Sequence, residues 1–251
     1  MAGLRIQVTT LGEAVNSILA KSLESLDDGC PVRFINAYSL ALSVRHDEYR
    51  SILAGPGVNF PDGAPVAWLM RHTGAGNAAQ VRGPSFFEAA LASGVTLGVR
   101  HYLFGTNPST LAQLQKKIEH DHPGVNLVGL SAPDYGSISE ILNEENIQRI
   151  KDSSPDIVWV ALGTPKQDFV TSRLAEATGL TCIGVGAAFD FAAGTQREAP
   201  HAIRAAGMEW LFRLISNPRR LGGRYLWGNS VFLGLALRTL LGAGRAEKEV
   251  T

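Results

Sequence analysis

Asp190 stands in GVGAAFDFAAG, a stretch of small and apolar residues in which an unpaired carboxylate would be costly. That setting favours a functional role for it over a chance acid. Three further polar residues, Asn36, Asp62 and Gln167, fall just after short apolar runs or in the loops near them. In an open parallel sheet, ligands bind at the carboxyl ends of the strands, where these four would lie. Each also has a plain alternative. Asn36 could cap a helix, Asp62-Gly63 could serve only as a turn, and Gln167 could be a solvated residue of a first helical turn.

Gly184-Val185-Gly186 follows a strand pattern and suggests a close approach of backbone to a phosphate. Phe189 occupies the place of the third glycine of a dinucleotide fingerprint, so the pair alone is weak evidence. Gly163-Thr164-Pro165-Lys166-Gln167 also follows a strand and opens a helix, so its N–H groups could face an anion. Metal chemistry finds little support, because no Asp-x-Asp pair is present to hold a divalent ion against a diphosphate. His120-Asp121-His122 is the one clustered ligand set, and its place at a helix end favours surface capping. No cofactor is expected. Neither a Gly-x-Ser-x-Gly elbow nor a Cys/His pair suggests covalent catalysis.

Six short apolar runs are expected as strands: Ile6–Thr9, Val32–Ile35, His101–Gly105, Leu127–Leu130, Ile157–Ala161 and Cys182–Val185. Helical patterns alternate with them at about 11–25, 40–53, 64–72, 84–93, 108–119, 137–151 and 166–177. Asn107-Pro108 and Thr164-Pro165 look like helix starts. The alternation predicts an α/β fold, a Rossmann-like, mostly parallel sheet flanked by helices. The Gly/Pro-rich stretch 54–63 reads as a loop at a sheet edge.

Charge divides the chain. Residues 1–200 hold 15 Lys and Arg against 20 Asp and Glu, whereas 201–245 hold seven Arg and one acid, Glu209. A block that is Arg alone suits fork-shaped binding of phosphate. It also carries Trp210, Tyr225 and Trp227, and suggests a short helix, a break and a second helix. We therefore divide the chain into an α/β core at 1–195, a basic helical appendage at 196–245 and a tail at 246–251. The apolar run 230–237 is well short of the roughly 20 residues that span a bilayer. It could lie along a membrane or pack on the body, and the sequence leaves these even. The N-terminus lacks a signal-peptide pattern, and Cys30 and Cys182 match no metal or redox spacing; both point to a cytoplasmic protein with reduced core thiols.

FINAYS, FPDGAPVAW, VRGPSFFEA, VWVALGTPKQD, GVGAAFDFAAGTQREAP and GMEWLFRLISNPRRLGGRYLWGN, in this order, resemble the WecG/TagA/CpsF family of bacterial glycosyltransferases. The resemblance implies inverting, metal-independent transfer of an N-acetylmannosamine-type or related hexose from a UDP-sugar donor. The acceptor it implies is a polyprenyl-diphosphate-linked sugar at the inner face of the cytoplasmic membrane, in the synthesis of teichoic acid or another cell-surface polysaccharide. By motif, Asp62 matches the catalytic base. Asn36, Gln167 and Asp190 match polar pocket residues, and Gly163, Gly184 and Gly186 fall in the same motifs. Arg213, Arg220 and Arg224 fall in the appendage that completes the site. The chain departs from the family at Phe34, where Thr is common, at Gln80 and Ser85, where Arg and Asp are common, and at Glu198, where Arg often precedes Ala-Pro. A nucleotide-binding oxidoreductase and a non-enzymatic membrane-surface scaffold stand as alternatives. The acidic body and lack of a recognition motif argue against nucleic acid, and a homo-oligomer stays open.

Overall fold

The computed structural model describes residues 3–24 and 29–248, with the side chains of Arg220 and of residues 242–248 outside the described set. Six strands form one fully parallel sheet: β1 (Cys30–Ile35), β2 (Val58–Pro61), β3 (Arg100–Gly105), β4 (Asn126–Ser131), β5 (Ile157–Ala161) and β6 (Thr181–Gly184). Their spatial order is β2-β1-β6-β5-β3-β4. β1, β5 and β6 are buried at every residue, which is why they read as unbroken apolar runs. Arg33 in β1 is the exception in type, and its burial is compensated: the guanidinium donates to Asn59 Oδ1, Pro56 O and Ser172 Oγ.

Five of the six expected strands are present, and two edges differ. Ile6–Thr9 is not a strand; it runs beside β2 and donates a backbone hydrogen bond from Gln7 to Asn59. Its other bonds come from the Asn59 side chain, to Arg5 O, and from Ala79 N–H, to Thr9 O, so no regular ladder forms along it. β2 lies within the stretch expected to be a loop. With four residues between Gly57 and Asp62-Gly63, it is too short to show a period against its turn residues.

Helices cover both faces. On one lie α1 (Leu11–Ser22), α5 (Gly83–Leu97), α6 (Pro108–Asp121) and α10 (Ala188–Ala192), packed around Phe86, Phe87, Trp159 and Phe189. On the other lie α2 (Ala37–Arg45), α3 (Asp47–Ala54), α7 (Ile138–Ile141), α8 (Glu144–Asp152) and α9 (Lys166–Thr178), while α4 (Ala64–Arg71) adds Val66 and Leu69 to the cluster around Leu40 and Leu53. Two expected helices are each split. His46 ends α2 and begins α3, and Asn143 caps α8 just after α7 ends. α9 starts at Lys166, immediately after Pro165.

The C-terminal segment comprises α11 (His201–Ala205), α12 (Glu209–Ser216) and α13 (Pro218–Lys248). Asn217-Pro218 makes the expected break, with proline supplying the first residue of the next helix. α13 continues through residues 246–248, so these belong to a helix. α13 packs on α2, with Phe232 and Ala236 buried and Tyr38 against Trp227 edge-on at 6.0 Å. Its other face leaves Leu226, Leu233, Leu237 and Leu241 exposed. The apolar run 230–237 thus packs on a helix of the body along one face and is open along another. Among the described residues, no helix is long and apolar enough to cross a membrane.

Phe87 joins the layer that carries α10: its ring lies 4.9 Å from Trp159 and 5.5 Å from Phe189, and it is fully buried. Phe87→Ala is expected to lower unfolding free energy by about 3–5 kcal/mol, read from the urea midpoint at unchanged slope. A loss below about 1 kcal/mol would show that α5 and α10 close the gap.

Candidate active site

Because every strand runs the same way, all six carboxyl ends meet at one rim of the sheet. A cavity of about 900 Å³ opens there, large enough for a nucleotide-sized ligand. Asn36, Asp62, Gly163, Gln167, Gly184, Gly186 and Asp190 line it, joined by Arg213 of α12 and Arg224 of α13. These nine residues, drawn from motifs spread across nearly 190 positions, share one cleft. The side chain of Arg220 lies outside the described residues.

Asp62 follows β2 and is held by backbone on both sides. Its N–H donates to Ile35 O at 2.8 Å, and Gly63 adopts φ +92°, a conformation glycine takes without strain. The turn is real, and it aims a partly buried carboxyl into the cleft. Burial is the largest influence and pushes its pKa up to about 6; Glu209 pushes the same way. Arg213, Arg82 and the Gly63 N–H oppose them. The carboxyl is therefore poised to take a proton near neutral pH.

Gln167 is buried rather than solvated. Its Oε1 accepts from Gly163 N at 3.2 Å and its Nε2 donates to Gly184 O at 3.3 Å, so it ties the ends of β5 and β6 together. The glycine pair makes room for it. A Cβ at Gly184 would meet Thr171 Oγ1 at 3.0 Å, and one at Gly186 would meet Gln167 Oε1 at 3.2 Å. Close approach at this pair is thus to side chains of the protein itself, the Thr171 hydroxyl at Gly184 and the Gln167 amide at Gly186. The Val185 N–H is also committed, to Val160 O. Gly163, at φ +78°, has open space around it on the cavity wall.

Asn36 caps α2, its Oδ1 accepting from the N–H groups of Tyr38 and Ser39 and from the Ser39 hydroxyl, and it lines the cleft as well. Asp190 is partly buried in the first turn of α10. Its carboxylate accepts from Thr195 Oγ1 at 3.4 Å and Gln196 Nε2 at 3.5 Å. Arg213 lies over the Phe191 ring at 4.9 Å and bonds Glu209 at 3.3 Å; Arg224 lies over the Tyr38 ring at 3.9 Å.

Three of the four positions that depart from the expected pattern, Phe34, Ser85 and Glu198, have structural partners here. Phe34 forms an apolar wall with Phe60 and Phe86. Ser85 accepts from Arg82, and Glu198 pairs with Arg82 and Arg204. Arg82 and Glu209, close enough to influence Asp62, were missed from the sequence. A lone Arg before Gly-Pro and a lone Glu before Trp carry no local signal, and only the tertiary fold brings them together.

Asp121 binds Lys117 and His120 on the surface, and His122 binds Glu88. Among the described residues, no group of three or more His, Cys, Asp or Glu is placed to hold a metal ion. Cys30 and Cys182 are free and buried.

A profile of the glycosyl transferase WecG/TagA/CpsF family matches residues 1–246. Among curated relatives, the chain is similar to the N-acetylglucosaminyldiphosphoundecaprenol N-acetyl-beta-D-mannosaminyltransferase of Bacillus spizizenii. The two are 26% identical over 179 residues, covering 71% of this chain and 68% of the relative. A family match that spans the body and the C-terminal helices together, and so takes in every wall of the cleft, means that this chain belongs to the WecG/TagA/CpsF family and is a glycosyltransferase.

Proposed function

We propose that the chain transfers an N-acetylmannosamine-type sugar from a UDP-sugar to a polyprenyl-diphosphate-linked N-acetylglucosamine, with inversion and without a metal ion. The observation that carries this reading is a carboxyl poised near pH 6 in the same cleft as two arginines of the C-terminal helices. The name of the Bacillus relative supplies the acceptor class and a β-linked product. From an α-linked nucleotide donor, a β product requires one inversion. The oxidoreductase and scaffold alternatives fall with membership of a glycosyltransferase family.

In this mechanism Asp62 takes the proton from the acceptor hydroxyl as its oxygen attacks the anomeric carbon. The bond from that carbon to the donor phosphate breaks on the opposite face, and UDP leaves with the bonding pair. Arg213 and Arg224 meet the charge that develops on the diphosphate, as fixed electrostatic stabilisation. Asn36, with Oδ1 committed to its helix, has its amide NH₂ to offer a sugar hydroxyl. Asp190 stands on the same wall as an acceptor for ligand hydroxyls.

The acceptor's lipid implies work at the cytoplasmic face of a membrane. The exposed leucine face of α13, with Arg219 and Arg238 exposed on the same helix, suits peripheral contact with an anionic surface.

The direct test is incubation with a panel of UDP-sugars and a short-chain polyprenyl-diphosphate N-acetylglucosamine, with and without EDTA. UDP release with the N-acetylmannosamine donor and unchanged by EDTA is the expected result. Loss of turnover with EDTA, restored by a divalent cation, would overturn the metal-independent reading.

Asp62→Asn is expected to reduce turnover at least about 10²-fold in a protein that stays folded. In the wild type, kcat/KM should rise with pH and level off above about 6, where Asp62 is ionised. The same variant tests stability. The folded carboxyl is raised from its ordinary 3.8, so the folded state holds this proton more tightly than the unfolded chain. Stability therefore falls as pH rises from about 4 to about 6. Asp62→Asn should be more stable than wild type above that window, and the gain should vanish below it. Equal melting temperatures at pH 8 would show that burial does not strain this carboxylate.

A further inference from the structure

Arg82 immediately precedes α5, on a segment tied to the end of β2 by the Val81 N–H donating to Pro61 O. It is thus anchored one residue from Asp62 across that bond. Its guanidinium is only 10% exposed and each nitrogen is used: Nε donates to Glu209 at 2.8 Å, one terminal nitrogen to Glu198 at 2.7 Å and the other to Ser85 at 2.9 Å. Both carboxylates belong to the chain beyond residue 195. Each also grips a further arginine, Glu198 holding Arg204 of α11 at 3.1 Å and Glu209 holding Arg213 of α12 at 3.3 Å.

We propose that Arg82 is a positioning residue for sugar transfer, a clasp that holds α11 and α12 against the body and thereby fixes Arg213 on the wall of the cleft near Asp62. α13 has its own apolar attachment through Phe232 and Ala236, whereas α12 has no fully buried residue and meets the body through Glu209 on Arg82 and Arg213 over the Phe191 ring. A planar fork reaching two carboxylates fixes geometry as well as distance. The reasoning rests on the reading of Asp62 as base and Arg213 as a group that meets the leaving diphosphate.

The clasp also sets the charge around Asp62. The groups that face this carboxyl are Glu209 and Arg213 from α12, Arg82 from the segment before α5 and the N–H of Gly63. Removing Arg82 takes away one of the two arginines that offset Glu209 beside Asp62, while removing the charge of Glu209 relieves the carboxyl.

The test compares Arg82→Gln, Arg82→Lys and Glu209→Gln in the full chain. Arg82→Gln should lose kcat by on the order of 10²-fold, with a smaller change in KM. Hydrogen exchange should quicken over residues 201–216 while the strands keep their protection. Arg82→Lys, which keeps the charge but loses the fork, should recover part of the rate. The acid limb of the pH profile should move up in Arg82→Gln and down in Glu209→Gln. A merely structural pair would loosen the segment and shift neither limb.

Wild-type kcat and wild-type exchange in Arg82→Gln would overturn the clasp, and so would a slower enzyme whose 201–216 segment stays protected. The two readings fail separately. Turnover that survives Asp62→Asn while Arg82→Gln still loosens 201–216 removes the base but keeps the clasp; an inactive Asp62→Asn beside an unaffected Arg82→Gln does the reverse.

Discussion

A carboxyl group that is partly withdrawn from water stays ionised near neutral pH only if positive charge offsets what burial costs it. In this protein that charge comes from far along the chain. Asp62 sits at the end of an edge strand, and the cations that hold its pKa down are Arg82 and, some 150 residues later, Arg213. The body and the C-terminal helices are thus electrostatically dependent on each other. The body is net acidic and the segment after residue 200 net basic, and their meeting place is the cleft.

The parallel sheet makes that meeting place unavoidable. Every strand delivers its chain to the same rim, so each loop there contributes backbone to one cavity. Polar side chains at the rim then serve two needs at once. Asn36 satisfies the first N–H groups of α2 and lines the cavity; Gln167 ties β5 to β6 and lines it too. A residue locked by such structural bonds cannot drift, which is what a preorganised site needs.

The departures from the family's pattern cluster near one another. Glu198 and Ser85 both bind Arg82, and Phe34 joins an aromatic wall with Phe60 and Phe86 under the same region.

Much of this was legible in the residues. Runs such as IVWVA, buried on both faces, identify central parallel strands because such strands meet water on neither side. Asn107-Pro108 and Thr164-Pro165 mark helix starts because proline's missing N–H costs nothing there. Asn36, Gln167 and Asp190 could be placed together because strand ends of one direction share a rim, while Asp62 could be read only as belonging to a loop nearby. The short edge strand β2 was not legible, since four residues between turn formers show no period. Nor was the use of the glycine pair: the sequence only suggests an approach of backbone to a phosphate at Gly184 and Gly186, whereas the Thr171 hydroxyl and the Gln167 amide take up the space there. The partnership of Arg82 with Glu198 and Glu209 was beyond reach as well. A local pattern records which backbone shape a residue favours, whereas an ion pair across more than 100 positions exists only once the sheet has set the loops side by side.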